Sequence, residues 1–394
     1  MNDTTQRTRL QSLDIVRGLV MVLMAIDHVR VYSGLPAGGP APGIFFTRWI
    51  TNFVAPAFAF FAGTGAFLLG RKLQDRGVLA RFLLTRGLWL VLLELTVIRV
   101  SWTFNLDYAH YLLAGVIWML GWCMVLMAGL IWLPLPAIAA FGLLVMAGHN
   151  LMDLVPRETL KSIAESGGGW WLQLLYFGGF IPLGEGGPTF AVLYVIVPWI
   201  GVMAAGYAFG TIMLCEPAER RRLCLQIGWT AIVLFVLLRG LDLYGDPRHW
   251  HSGPGDPRPA LFRFLNTSKY PASLLFLLMT LGPAIALLPW AENPKGTVAR
   301  MLETFGRVPF FFYLLHIPLI HALACVVSLL REGAVNPWLF ANHPMMPPDA
   351  PEGYTWSLAL LYLVFAIAIA LLYPACRWYA RVKAESRSRW LSYL

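Results

Sequence analysis

The chain has 394 residues, 58% of them hydrophobic and only 13% charged, with a formal net charge of +9. A soluble domain carries about 25% charged residues, so this composition excludes an ordinary soluble protein and places the chain in a bilayer. The positive charge does not point to nucleic acid: Lys and Arg sit in short segments between apolar runs, as topology and lipid headgroups require, with no base-stacking motif beside them.

The N-terminus is polar up to Leu10 and lacks a small-residue cleavage signature, so the first apolar run is expected to be retained as a span rather than removed as a signal peptide. Runs of about 20 apolar residues predict ten spans, at 13–33, 48–70, 81–103, 108–130, 133–152, 188–212, 223–244, 271–290, 308–330 and 355–378. The expected fold is an all-α polytopic membrane helix bundle forming one domain over 1–394. Arg7 and Arg9, "RKLQDRGVLAR" (71–81), "ERRRL" (219–223), "PKGTVAR" (294–300) and "RWYARVKAESRSR" (377–389) then fall on one side. The positive-inside rule makes that side, and both termini, cytoplasmic. The other side receives the Gly/Pro loop 34–43, the segment 153–187 with its interfacial "GGGWW", and the loop 245–270. Small-residue spacings such as "AGTGA" (62–66) and "GYAFG" (206–210) predict close helix packing.

Ionisable residues inside spans cost roughly 3 kcal/mol each on insertion scales and mark candidate sites. The first span carries Asp14 and Arg17 near its cytoplasmic end, and Asp27, His28 and Arg30 near its outer end. Arg17 and His28 are eleven residues apart, about three turns and roughly 16 Å along one face. Adjacent helix positions diverge by about 100°, so Asp27 is expected to pair with another helix, through Arg99 or Arg239, rather than to orient the His28 ring. Glu94 and Arg99 in the third span, and Arg239 and Asp242 in the seventh, are expected to form structural ion pairs. The ninth span holds His316 and His321, a cavity lining or a packed pair. Asn266, Lys269 and Tyr270 in "FLNTSKYP" (264–271) form a polar rim at the outer mouth of the eighth span; Lys269 is expected either to snorkel there or to line a site. His249 and His251 in a Pro/Gly-rich loop are weak evidence for a metal, and the five scattered cysteines supply neither a CxxC pair nor a disulfide framework, so no metal site is expected.

The blocks "RLQSLDIVRGLVMVLM" (9–24), "FAFFAGTGAFLLG" (58–70), "FLNTSKYPASLLFLLMTLGP" (264–283) and "GRVPFFFYLLHIPLIH" (306–321) resemble the heparan-alpha-glucosaminide N-acetyltransferase family and its bacterial relatives. The first of them follows the family's R-L-x-S-x-D-x-x-R-G opening. The resemblance implies a transmembrane acyltransferase that takes an acetyl group from cytosolic acetyl-CoA, a cosubstrate rather than a permanently bound cofactor, and passes it to an amine or hydroxyl of a glycan or amino-sugar acceptor on the opposite face. The lysosomal enzyme places its catalytic histidine beyond the first span, but Val31 to Arg48 holds none here, so the role passes to His28 beside Asp27. Arg17 and Asp14 would meet the acyl-CoA, and Arg30, Asn266, Lys269, Tyr270 and His316 would line the acceptor cavity. Base catalysis and an acyl-histidine intermediate both fit a histidine in that place. A homodimer would suit the family. The lack of lysosomal sorting context, with sequons only at "NTS" (266–268) and "NDT" (2–4), favours a bacterial inner membrane. The competing reading is a proton-coupled transporter using the same buried Asp, His and Arg residues, although hydropathy gives no inverted repeat to support it.

Overall fold

A computed structural model describes residues 10–156, 158–159, 162–163, 169–251, 255–293, 295–341, 348–386 and 391. The expectations resting on Arg7, Arg9, Gly167, Gly168, Pro294, Arg387 and Arg389 lie outside those residues.

Every predicted span has a helical counterpart. Seven helical stretches among the described residues are long and apolar enough to cross a membrane: Pro42–Leu73, Leu135–Leu154, Val197–Leu214, Pro217–Leu241, Leu274–Ala291, Pro309–Glu332 and Leu358–Glu385. The other three expectations fall on α1 (Gln11–Tyr32), α4 (Arg76–Leu93) and α6 (Val116–Leu130). The first two carry several charges, and the third is only 15 residues long. The remaining helices needed below are α2 (Pro42–Trp49), α3 (Val54–Leu73), α5 (Arg99–Thr103), α7 (Leu135–Gly148), α8 (Val197–Phe209), α9 (Pro217–Leu241), α10 (Ala260–Leu265), α11 (Leu274–Leu287), α12 (Thr297–Arg307), α13 (Pro309–Glu332) and α14 (Leu358–Glu385).

Local chemistry sets several boundaries. Asp75 caps α4 by accepting from the Val78 amide at 3.0 Å, after Gln74 turns the chain through the left-handed region at φ 56°. Ser273 and Ser357 cap α11 and α14 in the same way, as short oxygen-bearing side chains do. Pro217 and Pro309 begin α9 and α13 where a missing N–H costs nothing.

Among the described residues, three short strands join the helices. β1 (Tyr111–Ala114) runs parallel to β3 (Thr189–Val192), and β2 (Gly179–Pro182) is antiparallel to it, giving the order β1-β3-β2. The fourth and sixth spans were expected to begin at 108 and 188. Their helices begin at Val116 and Val197, because four-residue apolar runs just ahead of them pair as strands. Hydropathy cannot separate so short a strand from the start of a helix.

α1 lies at the centre, with Val16, Val20, Met21, Met24 and Ala25 buried against its neighbours. Close approaches hold it there. A Cβ on Gly18 would lie 1.8 Å from the Leu302 carbonyl oxygen, and one on Gly306 would lie 1.7 Å from that of Asp14. The α1–α12 crossing therefore tolerates no side chain at either position. Gly63 and Gly206, from the two predicted small-residue motifs, meet across α3 and α8 in the same manner. Gly306→Ala is expected to cost about 1–3 kcal/mol through overpacking. The check is a lower thermal midpoint of the detergent-solubilised protein than for Gly240→Ala, at a helical position where an added Cβ meets nothing.

Candidate functional site

The C-terminal end of α1 meets the middle of α13. His28 Nδ1 lies 2.6 Å from His316 Nε2, and His316 Nδ1 lies 2.6 Å from the Tyr313 carbonyl oxygen one turn earlier on α13. The imidazole centroids are 4.7 Å apart with planes within 21°. So short a nitrogen–nitrogen contact at that separation means the rings meet edge to edge rather than face to face. Trp102, at the end of α5, closes one side with its ring edge-on to His28 at 4.8 Å.

The contacts assign the protons of the neutral pair. A carbonyl oxygen only accepts, so His316 Nδ1 carries the hydrogen and donates it to Tyr313. His316 Nε2 then holds a lone pair and accepts from His28 Nδ1–H. The result is a His28 Nε2 that bears a lone pair and has no hydrogen-bond partner among the described residues. His316 is fully buried, so nothing in water competes for these bonds.

Asp27 faces a different way from His28. It accepts from Arg30 Nε at 2.9 Å and lies 3.4 Å from Arg48 Nη1, and Arg30 also donates to the Leu35 carbonyl. The partner from another element is thus Arg48 of α2, not the Arg99 or Arg239 expected. Arg99 is instead wrapped by backbone oxygens of Asn105, Asp107 and Tyr111, and lies against the rings of Tyr108 and Tyr111. Nor does Glu94 pair with Arg99: its carboxylate accepts from the Ile117 and Trp118 amides at 3.0 and 3.3 Å. Glu94 caps α6 from a π turn at Glu94–Ile98, satisfying donors that a helix start leaves open. Arg239 donates to the carbonyls of Phe264, Arg248 and Arg263, with Asp242 a loose 3.9 Å away. Arg99, Glu94 and Arg239 thus hold loops and helix starts chiefly through backbone groups, with Arg239 and Asp242 at the limit of an ion pair.

Lys269 and Tyr270 sit in the turn between α10 and α11. Lys269 is buried rather than snorkelling, with its ammonium 5.4 Å from the Tyr270 ring centre. Burial, reinforced by the Arg48 guanidinium, pulls its pKa below the usual lysine range. Burial alone would raise the Tyr270 hydroxyl, but the positive fields of Lys269 and Arg48 outweigh it and bring it down. That hydroxyl lies 3.4 Å from the Tyr194 hydroxyl. Asp246 fixes the turn by accepting from the Ser268 amide at 2.8 Å, the Ser273 hydroxyl at 2.7 Å and the Arg248 amide at 2.8 Å. Asn266 lies in the wall of a separate cleft.

On the opposite side of the imidazole pair, a cavity of about 320 Å³ opens between α1, α3, α4, α6 and α13. Its walls are apolar, with Met21, Phe61, Leu90, Ile117 and Tyr313 among them, and it holds two cations, Arg17 and Arg86. Arg17 Nη2 donates to the Phe61 carbonyl at 2.7 Å, and Arg86 lies 5.9 Å from the Phe82 and Phe310 ring centres. The cavity's inner wall includes the same Tyr313 whose carbonyl orients His316. Asp14, expected beside Arg17, is not part of this lining. It is buried in the first turn of α1, where α12 covers it through the Gly306 contact.

Arg48, Arg86, Trp102 and Asp246 were not picked out as site residues. Arg86 had a readable signal, as a cation five residues inside a predicted span. Arg48 had none, and Asp246 stood out only as a weak metal-ligand candidate beside His249, His251 and Asp256, because their roles depend on which loops fold back together. His249 and His251 approach Asp242 at 3.5 and 3.3 Å, and among the described residues no His, Cys, Asp and Glu cluster has the makeup of a metal site.

An uncommitted imidazole nitrogen, held by a second imidazole and placed between an apolar cavity and a charged rim, suits proton transfer during group transfer. A comparison with curated proteins returns no match. The sequence model described as heparan-alpha-glucosaminide N-acetyltransferase, catalytic, matches residues 9–241, more than half of the chain. The chain belongs to this transmembrane acetyltransferase family.

Proposed function

We propose that the protein transfers an acyl group, acetyl in the first instance, from cytosolic acyl-CoA to an amine or hydroxyl of a glycan-type acceptor on the opposite face of a bacterial inner membrane. One observation carries this reading: the Tyr313 carbonyl, His316 and His28 form a hydrogen-bonded chain that ends in a free Nε2 lone pair, one to two turns beyond a cation-bearing apolar cavity.

In this reading Arg17 and Arg86 hold the phosphates of CoA, since guanidinium groups match phosphate oxygens. The pantetheine arm lies along the apolar walls, past Met21. Seven residues, about 10 Å of helix rise, separate Met21 from His28. The acceptor nitrogen or oxygen attacks the thioester carbonyl carbon while His28 Nε2 takes its proton. The tetrahedral intermediate then expels the sulfur, which recovers that proton from the imidazolium and leaves as CoA thiol. Direct transfer uses both roles of one imidazole, and the buried Lys269 ammonium at the rim places positive charge on the acceptor side.

Calorimetric titration of the purified protein with acetyl-CoA tests the donor half. Arg17→Gln and Arg86→Gln are each expected to weaken binding by about 10-fold or more, as loss of a charged hydrogen bond does. An absence of acetyl-CoA binding by the unaltered protein overturns the reading and leaves proton-coupled transport as the hypothesis to test.

A further inference from the structure

The outer loops hold cations that membrane topology alone does not call for. If the end of α1 bearing His28 faces away from the cytoplasm, the positive-inside rule should leave its loops poor in arginine. Residues 244–270 nevertheless carry Arg248, Arg258 and Arg263 as well as Lys269. The arginines line two adjoining hollows of about 210 and 280 Å³ that share Arg248, Arg258 and Asn266. Arg48 and Asn52 complete the first hollow, while Arg239, Arg263 and Asp256 belong to the second. Five guanidinium groups thus meet one carboxylate in the lining.

Not all of this charge is spent on structure. Arg239 is consumed by backbone carbonyls, and Arg258 is held by Asp256 at 2.6 and 2.9 Å. Asp256 in turn is lowered to about 2 by that hydrogen-bonded guanidinium, so it stays charged. Arg248 differs. Its backbone is tied down by Asp246 and Arg239, yet its exposed guanidinium makes no hydrogen bond or ion pair among the described residues. Arg263 has a buried Nε with no partner among the described residues. The cleft therefore presents unspent donors on Arg248 and Arg263 and excess positive charge. Arg48 joins it to the imidazole pair, because the same guanidinium that lines the cleft contacts Asp27, the neighbour of His28.

We propose that this cleft is a subsite for a phosphate or sulfate ester on the acceptor, held by Arg248, Arg258 and Asn266 while the accepting group lies at His28. The proposal rests on the acyl-transfer reading for the identity of its ligand. A tetrahedral oxyanion suits the cleft better than a carboxylate, because donors from three points of the 244–270 connection line both hollows and a phosphate or sulfate offers three outward oxygens. A membrane phosphate presents the same chemistry, so the test separates the two sources.

The full-length protein in phosphatidylcholine nanodiscs is titrated calorimetrically with glucosamine and with glucosamine 6-sulfate, and acetyl transfer to each is followed by release of CoA thiol. The sulfated sugar is expected to bind at least 10-fold more tightly. Arg248→Gln or Arg258→Gln is expected to bring the two affinities within about twofold of each other, with Arg248→Lys retaining part of the difference. Equal affinities for the two sugars, or a preference that both glutamine variants preserve, overturn the proposal. It is also overturned if the preference vanishes in phosphatidylglycerol nanodiscs while Arg248→Gln instead releases bound phosphatidylglycerol, which makes the cleft a headgroup site. Sulfate-dependent binding without acetyl transfer to either sugar leaves the subsite standing and overturns the acyl-transfer reading alone.

Discussion

His28→Ala is expected to reduce acetyl transfer by about 100- to 10,000-fold, the range a positioned general base contributes, while acetyl-CoA affinity stays within about twofold. The split follows from the geometry. The cavity with Arg17 and Arg86 ends at Met21 and Tyr313, so the donor's phosphates and arm are held without His28. Its Nε2, by contrast, is the nitrogen left uncommitted by the hydrogen-bond chain. Single-turnover release of CoA thiol, measured beside calorimetric affinity, separates the two effects. Transfer within about threefold of the unaltered protein would remove His28 from the chemistry and pass attention to Lys269. A loss of acetyl-CoA binding equal to the loss of rate would make the residue a donor ligand instead.

The covalent alternative is open to the same measurement. If the acyl group rests on His28 Nε2, a burst of CoA thiol should precede transfer and appear without acceptor. Direct transfer releases thiol only when acceptor is present. His28→Ala abolishes the burst in the first case and has none to abolish in the second.

Much of this arrangement is legible in the chain because a bilayer imposes a strong pattern. Ten apolar runs predict ten helices, and each falls on a helix, since lipid leaves the backbone little alternative within an exposed span. The cost of burying charge also makes His28, Arg17 and His316 stand out in apolar surroundings. Pairing is harder to read. Asp27 finds Arg48 because α2 folds back beside α1, and Glu94 finds the amides of α6 because β1 brings the start of that helix back beside the end of α4. Neither relation is encoded by spacing along one helix. The strands were hidden for a different reason, since "YLLA" and "TFAV" are apolar enough to pass for helix starts. The contact between His28 and His316 spans 288 positions in sequence. Each residue could be marked separately as a candidate, but only the fold of α1 against α13 makes them one unit.

Replacing His316 tests whether that unit matters. His316→Ala is expected to lower the transfer rate by about 100- to 1,000-fold, although His316 need not touch either substrate. The neutral His316 accepts from His28 Nδ1 and so fixes which nitrogen of His28 carries the proton. Without that acceptor, the Nδ1–H is left unsatisfied at a cost of about 1–3 kcal/mol. The ring can then turn or shift its proton to Nε2, where it can no longer act as a base. Loss of a group that sets the tautomer of a catalytic histidine costs about 10,000-fold in serine proteases; a neutral partner, which stabilises the imidazolium less than a carboxylate does, should cost less. His316→Gln supplies a side-chain oxygen able to accept the same bond and is expected to recover at least 10-fold of the loss. Imidazole nitrogen-15 shifts give the readout that distinguishes positioning from packing. In the unaltered protein His28 Nδ1 should show the protonated signal and Nε2 the bare one, and His316→Ala should mix or reverse them. A rate loss with the His28 pattern unchanged would show that His316 supports the fold around the site without setting the proton on His28.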